Sequence, residues 1–120
     1  MSVRVLVVED EAMVAIDIAQ QLNEAGFVVV GPAPSVTKAL KLIVETGCDV
    51  AVLDVNLRDE TAEPVALELR SRRIPLLFMS AVARDHLPAG FGDEVLLQKP
   101  VRPAVLIAAL QDAIAGSGRH

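Results

Sequence analysis

Five short apolar segments constrain the fold of this chain more than any other feature of its sequence. They are Val3–Val8, Phe27–Val30, Val50–Leu53, Leu76–Met79 and Val95–Leu97. Most of them are continuously hydrophobic, whereas a strand with one face in water alternates apolar and polar residues. The segments therefore predict the strands of a parallel sheet that is covered on both faces.

Between these segments, apolar residues recur at the spacing of amphipathic helices. The stripes are Ala15, Ile18, Ala19 and Leu22; Val36, Ala39, Leu40 and Ile43; Ala62, Val65, Ala66 and Leu69; and Leu106, Ala109, Leu110 and Ala113. Ser35 suits the N-cap of the second helix, Gly26 and Gly47 suit helix ends, and Pro103 suits a first helical turn. The alternation of strands and helices predicts an α/β fold with right-handed crossovers.

One crossover departs from this pattern, between the fourth and fifth apolar segments. The segment Val82–Gly92 contains Pro88, Gly90 and Gly92. Proline removes a backbone donor from a helix and glycine adds backbone freedom, so both residue types destabilise helices. We therefore expect the fourth helix of the fold to be short or irregular.

The length of 120 residues and the hydrophobic content of 52% suit a single domain. We place this domain at 1–120, with a core at about 3–115 and a flexible tail at 116–120. Because the chain ends soon after the last predicted helix, no separate effector domain is expected.

The composition excludes several classes of function. The net charge of −5 argues against a nucleic-acid partner. The apolar runs are too short for membrane insertion, and no targeting segment is recognisable. Cys48 is the single cysteine, so an internal disulfide is excluded and a cytoplasmic location is expected.

Polar side chains follow four of the predicted strands at the points where these strands end. Glu9 and Asp10 follow the first strand, Asp54 the third, Ser80 the fourth and Lys99 the fifth. Since ligands of open α/β sheets bind at the carboxyl ends of the strands, these side chains are expected to share one site. Each of them alone has an ordinary structural explanation. Asp54 is harder to explain in that way, because it closes an apolar run where a buried carboxylate is costly without a partner.

The gathered carboxylates repel one another, so the predicted site favours a cation. Mg²⁺ prefers oxygen ligands and commonly bridges carboxylates to a phosphate. We expect Glu9, Asp10 and Asp54 to supply carboxylate oxygens, and Asn56 to supply its backbone carbonyl. Lys99 is a compact positive charge that suits a phosphoryl group beside that metal.

These motifs resemble those of response regulator receiver domains, the phosphorylated part of bacterial two-component systems. The matching pieces are Val-Val-Glu9-Asp10-Glu, Val-Leu-Asp54-Val-Asn-Leu, Phe-Met-Ser80-Ala and Gln-Lys99-Pro100, in this order. The resemblance extends from Val3 to about Ala115. It implies a flavodoxin-like, three-layer α/β/α sandwich with a five-stranded parallel sheet of order 2-1-3-4-5.

The resemblance also implies a role for each residue of the group. Asp54 would be the phosphoacceptor and would take a phosphoryl group from a sensor histidine kinase or a histidine phosphotransfer protein. Lys99 and Ser80 would contact the phosphoryl oxygens, and the Lys99–Pro100 bond would be cis. The Mg²⁺ ligands would be Glu9, Asp10, Asp54 and the backbone carbonyl of Asn56. Such a receiver is not an enzyme with turnover, since it only phosphorylates itself from a donor and slowly loses the phosphoryl group.

The resemblance implies that the receiver signals by contact with a downstream protein whose identity is unknown. The question of a weak homodimer also stays open.

Two features depart from the family pattern. The family usually has an aromatic residue three positions before its lysine, and this chain has Leu96 there, so the switch would consist of Ser80 and Leu96. The irregular fourth helix, with Pro75 and Phe78, resembles short single-domain receivers whose fourth helix is degenerate.

Three alternatives share part of this pattern. A phosphohydrolase of the haloacid dehalogenase type also uses a strand-end Asp, but it needs a second acid two residues later, where this chain has Asn56. A flavodoxin-type electron carrier needs a phosphate-binding loop after the first strand and aromatic residues that stack on flavin, and this chain has no Trp or Tyr. A pseudo-receiver, which keeps the fold for protein interaction but is never phosphorylated, stays open.

Overall fold

A computed structural model describes residues 2–81 and 87–117 of the chain. Within these residues the strands are β1 (Arg4–Val8), β2 (Val28–Ala33), β3 (Val50–Asp54), β4 (Asn56–Leu57), β5 (Glu60–Thr61), β6 (Leu76–Ser80) and β7 (Leu96–Gln98). The helices of the same residues are α1 (Ala12–Glu24), α2 (Val36–Glu45), α3 (Glu63–Ser71) and α4 (Pro103–Ser117). Strands and helices alternate as predicted, except that a small hairpin, β4–β5, follows β3.

In the described part of the chain, five strands form one parallel sheet in the order β2-β1-β3-β6-β7. The hairpin β4–β5 is a separate antiparallel unit, so this is the predicted order 2-1-3-4-5 of the five apolar segments. At the carboxyl edge, Val8 pairs with Leu53 and Ser80 pairs with Gln98. These registers bring the ends of β1, β3, β6 and β7 to one edge and confirm the flavodoxin-like fold class.

The sheet separates two hydrophobic cores, because successive side chains of a strand point to opposite faces. On one face, Leu53 and Phe78 pack with residues of α2 and α3. On the other face, Val52 packs with Ile18 of α1 and Leu110 of α4. β3 and β6 are buried along their whole length, as their continuous apolar runs predicted.

Local sequence sets the helix boundaries. The Ser35 hydroxyl accepts a hydrogen bond from the Lys38 backbone N–H at 3.2 Å, so Ser35 is the N-cap of α2 as predicted. Gly26 and Gly47 follow the ends of α1 and α2 with φ of +93° and +79°, the left-handed conformation that favours glycine.

None of the described helices combines the length and the apolar character that crossing a membrane requires.

Two boundaries differ from the sequence prediction by more than one residue. α4 extends to Ser117, so Gly116, which the sequence assigned to a flexible tail, lies in a helix, and residues 118–120 lie outside the described residues. A glycine costs a helix only about 1 kcal/mol relative to alanine, so it does not end α4 by itself. β2 is longer than predicted, because it ends at Ala33 and includes the cis bond Gly31–Pro32. β2 lies at the edge of the sheet, where a missing backbone donor is tolerated.

The connection from β6 to β7 contains no regular helix in its described part. Of the predicted irregular segment Val82–Gly92, residues 82–86 lie outside the described residues. Residues 87–92 form turns and bends, which agrees with the expectation from their proline and glycine content.

Phe91 attaches this connection to the core. Its ring lies edge-on to that of Phe78, with centroids 5.9 Å apart. The guanidinium carbon of Arg70 lies 3.7 Å from the centroid of the Phe91 ring, and Arg70 also donates a hydrogen bond to the Gly90 carbonyl at 2.9 Å. An aromatic contact and a cation–π contact therefore hold the described part of this connection, at Phe91, against the core.

Cys48 is buried between α2 and β3, and burial, with the nearby Asp49 charge, raises the pKa of its thiol to about 11. Because the thiolate is the reactive form, we expect iodoacetamide at mildly alkaline pH to label the native protein far more slowly than the unfolded chain. Mass spectrometry of the alkylated protein checks the labelling, and equal rates for the two states would contradict it.

The same shift in the pKa of Cys48 predicts a pH dependence of stability. The free energy of unfolding should fall as pH rises from 9.0 to about 11, since only the unfolded thiol ionises over that range.

Candidate functional site

Glu9 and Asp54 reach the site through the ends of β1 and β3. The Glu9 backbone N–H donates to the Ala33 carbonyl at 3.0 Å, which ties the end of β1 to the end of β2. The Glu9 carboxylate accepts a hydrogen bond from the Glu11 N–H at 3.1 Å, and the Asp54 carboxylate accepts one from the Asn56 N–H at 3.3 Å. Backbone donors of the loops that follow the two strands thus orient both carboxylates.

Lys99 follows β7 and places a positive charge between these carboxylates. Its backbone N–H donates to the Ser80 carbonyl at 2.9 Å, which aligns the ends of β6 and β7. Its Nζ donates to Glu9 Oε1 at 2.5 Å and to Asp54 Oδ2 at 2.9 Å. The Lys99–Pro100 peptide bond is cis. One ammonium therefore bridges two carboxylates that arrive from different strands.

The three charged groups of this bridge are largely removed from solvent. The side chain of Glu9 is 0% exposed, that of Asp54 8% and that of Lys99 17%. Burial raises the pKa of the Glu9 carboxyl above its ordinary value and the Asp54 charge adds to this, while the hydrogen bond from Lys99 opposes it. Burial acts to lower the pKa of the Lys99 ammonium, but the hydrogen bonds and charges of Glu9 and Asp54 outweigh burial and raise it. Lys99 therefore stays charged at neutral pH.

Asp10 completes a group of three acidic side chains at the same edge. Glu9, Asp10 and Asp54 each offer one carboxylate oxygen, and these oxygens lie within 4.8 Å of one another. Mg²⁺ typically binds proteins through one or two carboxylates and retains several waters. Asp10 is only half-buried, which leaves part of the group open to solvent. The donor chemistry of the group therefore fits a divalent cation of the kind that the sequence predicted.

The backbone of Asn56 offers a further oxygen. Asn56 pairs with Thr61 in the β4–β5 hairpin, and next to this pair the Ala62 N–H donates to the Val55 carbonyl at 3.1 Å. Because hydrogen-bonded and non-hydrogen-bonded pairs alternate in an antiparallel ladder, the N–H and the carbonyl of Asn56 both point away from Thr61. The N–H donates to Asp54. The Asn56 carbonyl is therefore directed to the same side as Asp54.

The two switch residues that the sequence predicted, Ser80 and Leu96, lie in different surroundings. Ser80 ends β6 at the carboxyl edge and is 2% exposed. Leu96 begins β7, pairs with Phe78 and packs against the core cluster that also contains Phe91. The predicted polar residues thus meet at one edge of the sheet, whereas the partly buried Leu96 packs against the hydrophobic core.

The sequence prediction missed the structural roles of Glu60 and Phe91. Glu60 of β5 accepts a hydrogen bond from the Val36 N–H at the start of α2, at 2.9 Å. The turn Arg58–Asp59 lacks the glycine that is typical of two-residue hairpins, so no local signal indicated the hairpin that carries Glu60. Phe91 packs against Phe78, and its isolation in a segment rich in glycine and charge hid this core role.

The response regulator receiver domain family matches residues 5–111 of the chain. The chain belongs to this family. The transcriptional regulatory protein PdtaR of Mycobacterium tuberculosis is 31% identical over 115 residues, which cover 92% of this receiver and 56% of PdtaR. The phyllosphere-induced regulator PhyR of Methylorubrum extorquens is 27% identical over 118 residues, which cover 95% of this receiver and 44% of PhyR. The receiver thus spans about half the length of the curated relatives it matches.

Solved receiver structures resemble this one closely. A response regulator receiver protein from Sinorhizobium medicae has a TM-score of 0.85 at 26% identity and covers 97% of both chains. A CheY-like receiver domain protein from Methanospirillum hungatei has a TM-score of 0.87 at 19% identity and covers 99% of this chain and 98% of that chain, which supports the fold alone. As a member of the family, the receiver is a signalling module of two-component systems.

Proposed function

We propose that this receiver accepts a phosphoryl group on Asp54 from the phosphohistidine of a sensor histidine kinase or a histidine phosphotransfer protein. The observation that carries the proposal is the Lys99 ammonium that bridges Asp54 and the buried Glu9, beside a third carboxylate, that of Asp10. In the transfer, an Asp54 oxygen forms a bond to phosphorus while the bond between phosphorus and the donor imidazole nitrogen breaks. The imidazole leaves with the bonding electron pair.

Each neighbour of Asp54 has a role that follows from its charge. Phosphoryl transfer depends mainly on positioning and on stabilising charge at the phosphoryl oxygens. Lys99, which already donates to Asp54, would donate to one phosphoryl oxygen, and the Ser80 hydroxyl would donate to another. The groups proposed to hold Mg²⁺ are Glu9, Asp10, Asp54 and the Asn56 carbonyl. When bound, Mg²⁺ supplies the positive charge that allows an anionic donor to approach a carboxylate.

The proposed output is contact with a downstream protein. A phosphorylated side chain carries about −1.5 to −2 charges at neutral pH, and this charge attracts nearby donors. Lys99 would turn from Glu9 toward the phosphoryl group, and Ser80, at the start of the connection to β7, would move with it. Leu96 has no aromatic ring to contribute, so the proposed response passes through these polar residues and the connection that Phe91 anchors.

The direct test is phosphotransfer to the purified receiver from a panel of autophosphorylated histidine kinases, with Mg²⁺ or with EDTA. We expect intact-mass measurements to show one phosphoryl group per chain with Mg²⁺ and none with EDTA, because removing the cation leaves the carboxylates to repel the donor. A small-molecule donor such as acetyl phosphate serves as a second source. A pseudo-receiver would take up no phosphoryl group from any donor, and a phosphohydrolase would release phosphate repeatedly from a chromogenic phosphomonoester.

A further inference from the structure

We infer that Glu60 is a positioning residue for the metal-binding loop and acts by attaching this loop to the N-terminus of α2. The inference rests on the proposed Mg²⁺ site and adds a residue that is neither a metal ligand nor a phosphoryl contact. Glu60 lies on β5, opposite the strand that begins with Asn56. Its carboxylate accepts a hydrogen bond from the Val36 backbone N–H at 2.9 Å, across 24 residues of sequence.

The contact with Val36 satisfies a group that the helix cannot satisfy itself. The first N–H groups of a helix lack partners within the helix, and its N-terminus carries a partial positive charge. In α2, the Ser35 hydroxyl accepts from the Lys38 N–H, and the Glu60 carboxylate accepts from the Val36 N–H. The inner face of α2 is buried in the core, so packing holds the helix in place. Glu60 therefore ties the hairpin to a fixed element.

The hairpin determines where the Asn56 carbonyl lies. Asn56 pairs with Thr61, the residue next to Glu60. The carbonyl of Asn56 is directed to the side of Asp54, as the ladder pattern above requires. The buried Leu57 side chain attaches the hairpin to the core beside this pair. Removal of the Glu60 carboxylate takes away the contact of the hairpin with α2, so we expect the hairpin, and with it the Asn56 carbonyl, to be held less closely in place.

A second contact ties the same corner of the fold to the site. Ala33, which lies shortly before the N-cap of α2, accepts the hydrogen bond from the Glu9 N–H at 3.0 Å. The loop after β1 is thus attached to the end of β2, two residues before the N-cap of α2, and the loop after β3 is attached to the first residue of α2 through Glu60. The short stretch of chain from Ala33 to Val36 therefore contacts both loops that carry proposed metal ligands.

The test compares the Mg²⁺ affinity of four proteins: the wild type, Glu60→Ala, Glu60→Gln and Ser35→Ala. Because the chain has no Trp or Tyr, backbone amide NMR signals are the suitable readout for the titration. We expect Glu60→Ala to bind Mg²⁺ about tenfold more weakly, the low end for residues that orient metal ligands. Glu60→Gln keeps an oxygen acceptor and should bind nearly as the wild type does. Ser35→Ala weakens the start of α2 but leaves the hairpin contact, so its affinity should also be unchanged.

The amide of Val36 gives a second readout, because its hydrogen exchange should speed up in Glu60→Ala and stay slow in Glu60→Gln. An unchanged Mg²⁺ affinity in Glu60→Ala would overturn the inference. Equal losses of Mg²⁺ affinity in Glu60→Ala and Glu60→Gln would also overturn it, since they would show that the negative charge of Glu60 matters and not its contact with Val36. An equal loss of affinity in Ser35→Ala would overturn it as well, because the effect would then come from the end of the helix. A wild type that binds no Mg²⁺ would contradict the proposed function itself.

Discussion

Replacing Asp54 by asparagine should abolish phosphoryl uptake while leaving the receiver folded. The amide oxygen is too weak a nucleophile to attack phosphorus. It can still accept the hydrogen bond from the Asn56 N–H, while the ion pair with Lys99 is lost. The same change removes repulsion between Asp54 and the two neighbouring carboxylates, so we expect the free energy of unfolding to change by only about 1 kcal/mol. Intact-mass measurement after phosphotransfer checks the uptake, and urea unfolding checks the stability.

The matched control for this variant is Asp59→Asn. Asp59 lies in the exposed turn of the β4–β5 hairpin, so the chemical change is the same but the site is spared. We expect Asp59→Asn to accept a phosphoryl group as the wild type does. Uptake by Asp54→Asn at the wild-type level would show that the acceptor is another residue.

The sheet could be predicted from the sequence because its pattern reports burial directly. β3 and β6 are continuous apolar runs up to their last residue, a composition typical of strands covered on both faces. The caps of α2 were equally predictable, since Ser35 and Gly47 each satisfy a local requirement of the helix ends. Signals of this kind depend on neighbours in sequence, and at the ends of α2 the tertiary contacts agree with them.

The β4–β5 hairpin could not be predicted, because each of its strands has two residues and its turn carries no glycine. Its position depends on contacts between residues far apart in sequence, such as that of Glu60 with Val36. The extent of α4 could not be predicted for a related reason. Gly116 weakens a helix without ending it, and the sequence alone does not show how far packing extends the helix.

The sequence could predict which residues form the candidate site but not how their side chains contact one another. Parallel strands end at one edge, so the sequence could bring Glu9, Asp54 and Lys99 together. It could not indicate that the Lys99 ammonium bridges these two carboxylates, since this depends on the distance between two loops. Nor could it indicate that Phe91 supplies an aromatic ring to the core, where it packs against Phe78.

Lys99→Met should destabilise the metal-free receiver by about 3 kcal/mol at neutral pH, the low end for removing one partner of a buried ion pair. Methionine has a similar length, so the change removes the charge with little loss of packing. It leaves the side chains of Glu9 and Asp54, which are 0% and 8% exposed, without the cation that bridges them. Urea unfolding measures the loss. Lys41→Met is the control, because Lys41 is exposed on α2 and its pair with Glu45 spans 4.0 Å, so we expect a change of less than about 1 kcal/mol.

Two further measurements connect this loss to the charges of the site. In the Asp54→Asn background, Lys99→Met should cost less than it does in the wild type, since one of the two carboxylates is already gone, and contacting residues typically couple by about 0.5–3 kcal/mol. Mg²⁺ should stabilise Lys99→Met more than it stabilises the wild type, because the cation then binds carboxylates that no ammonium neutralises. Strictly additive losses together with equal stabilisation by Mg²⁺ would mean that Lys99 acts through packing alone, and the charge bridge would then have no part in the site.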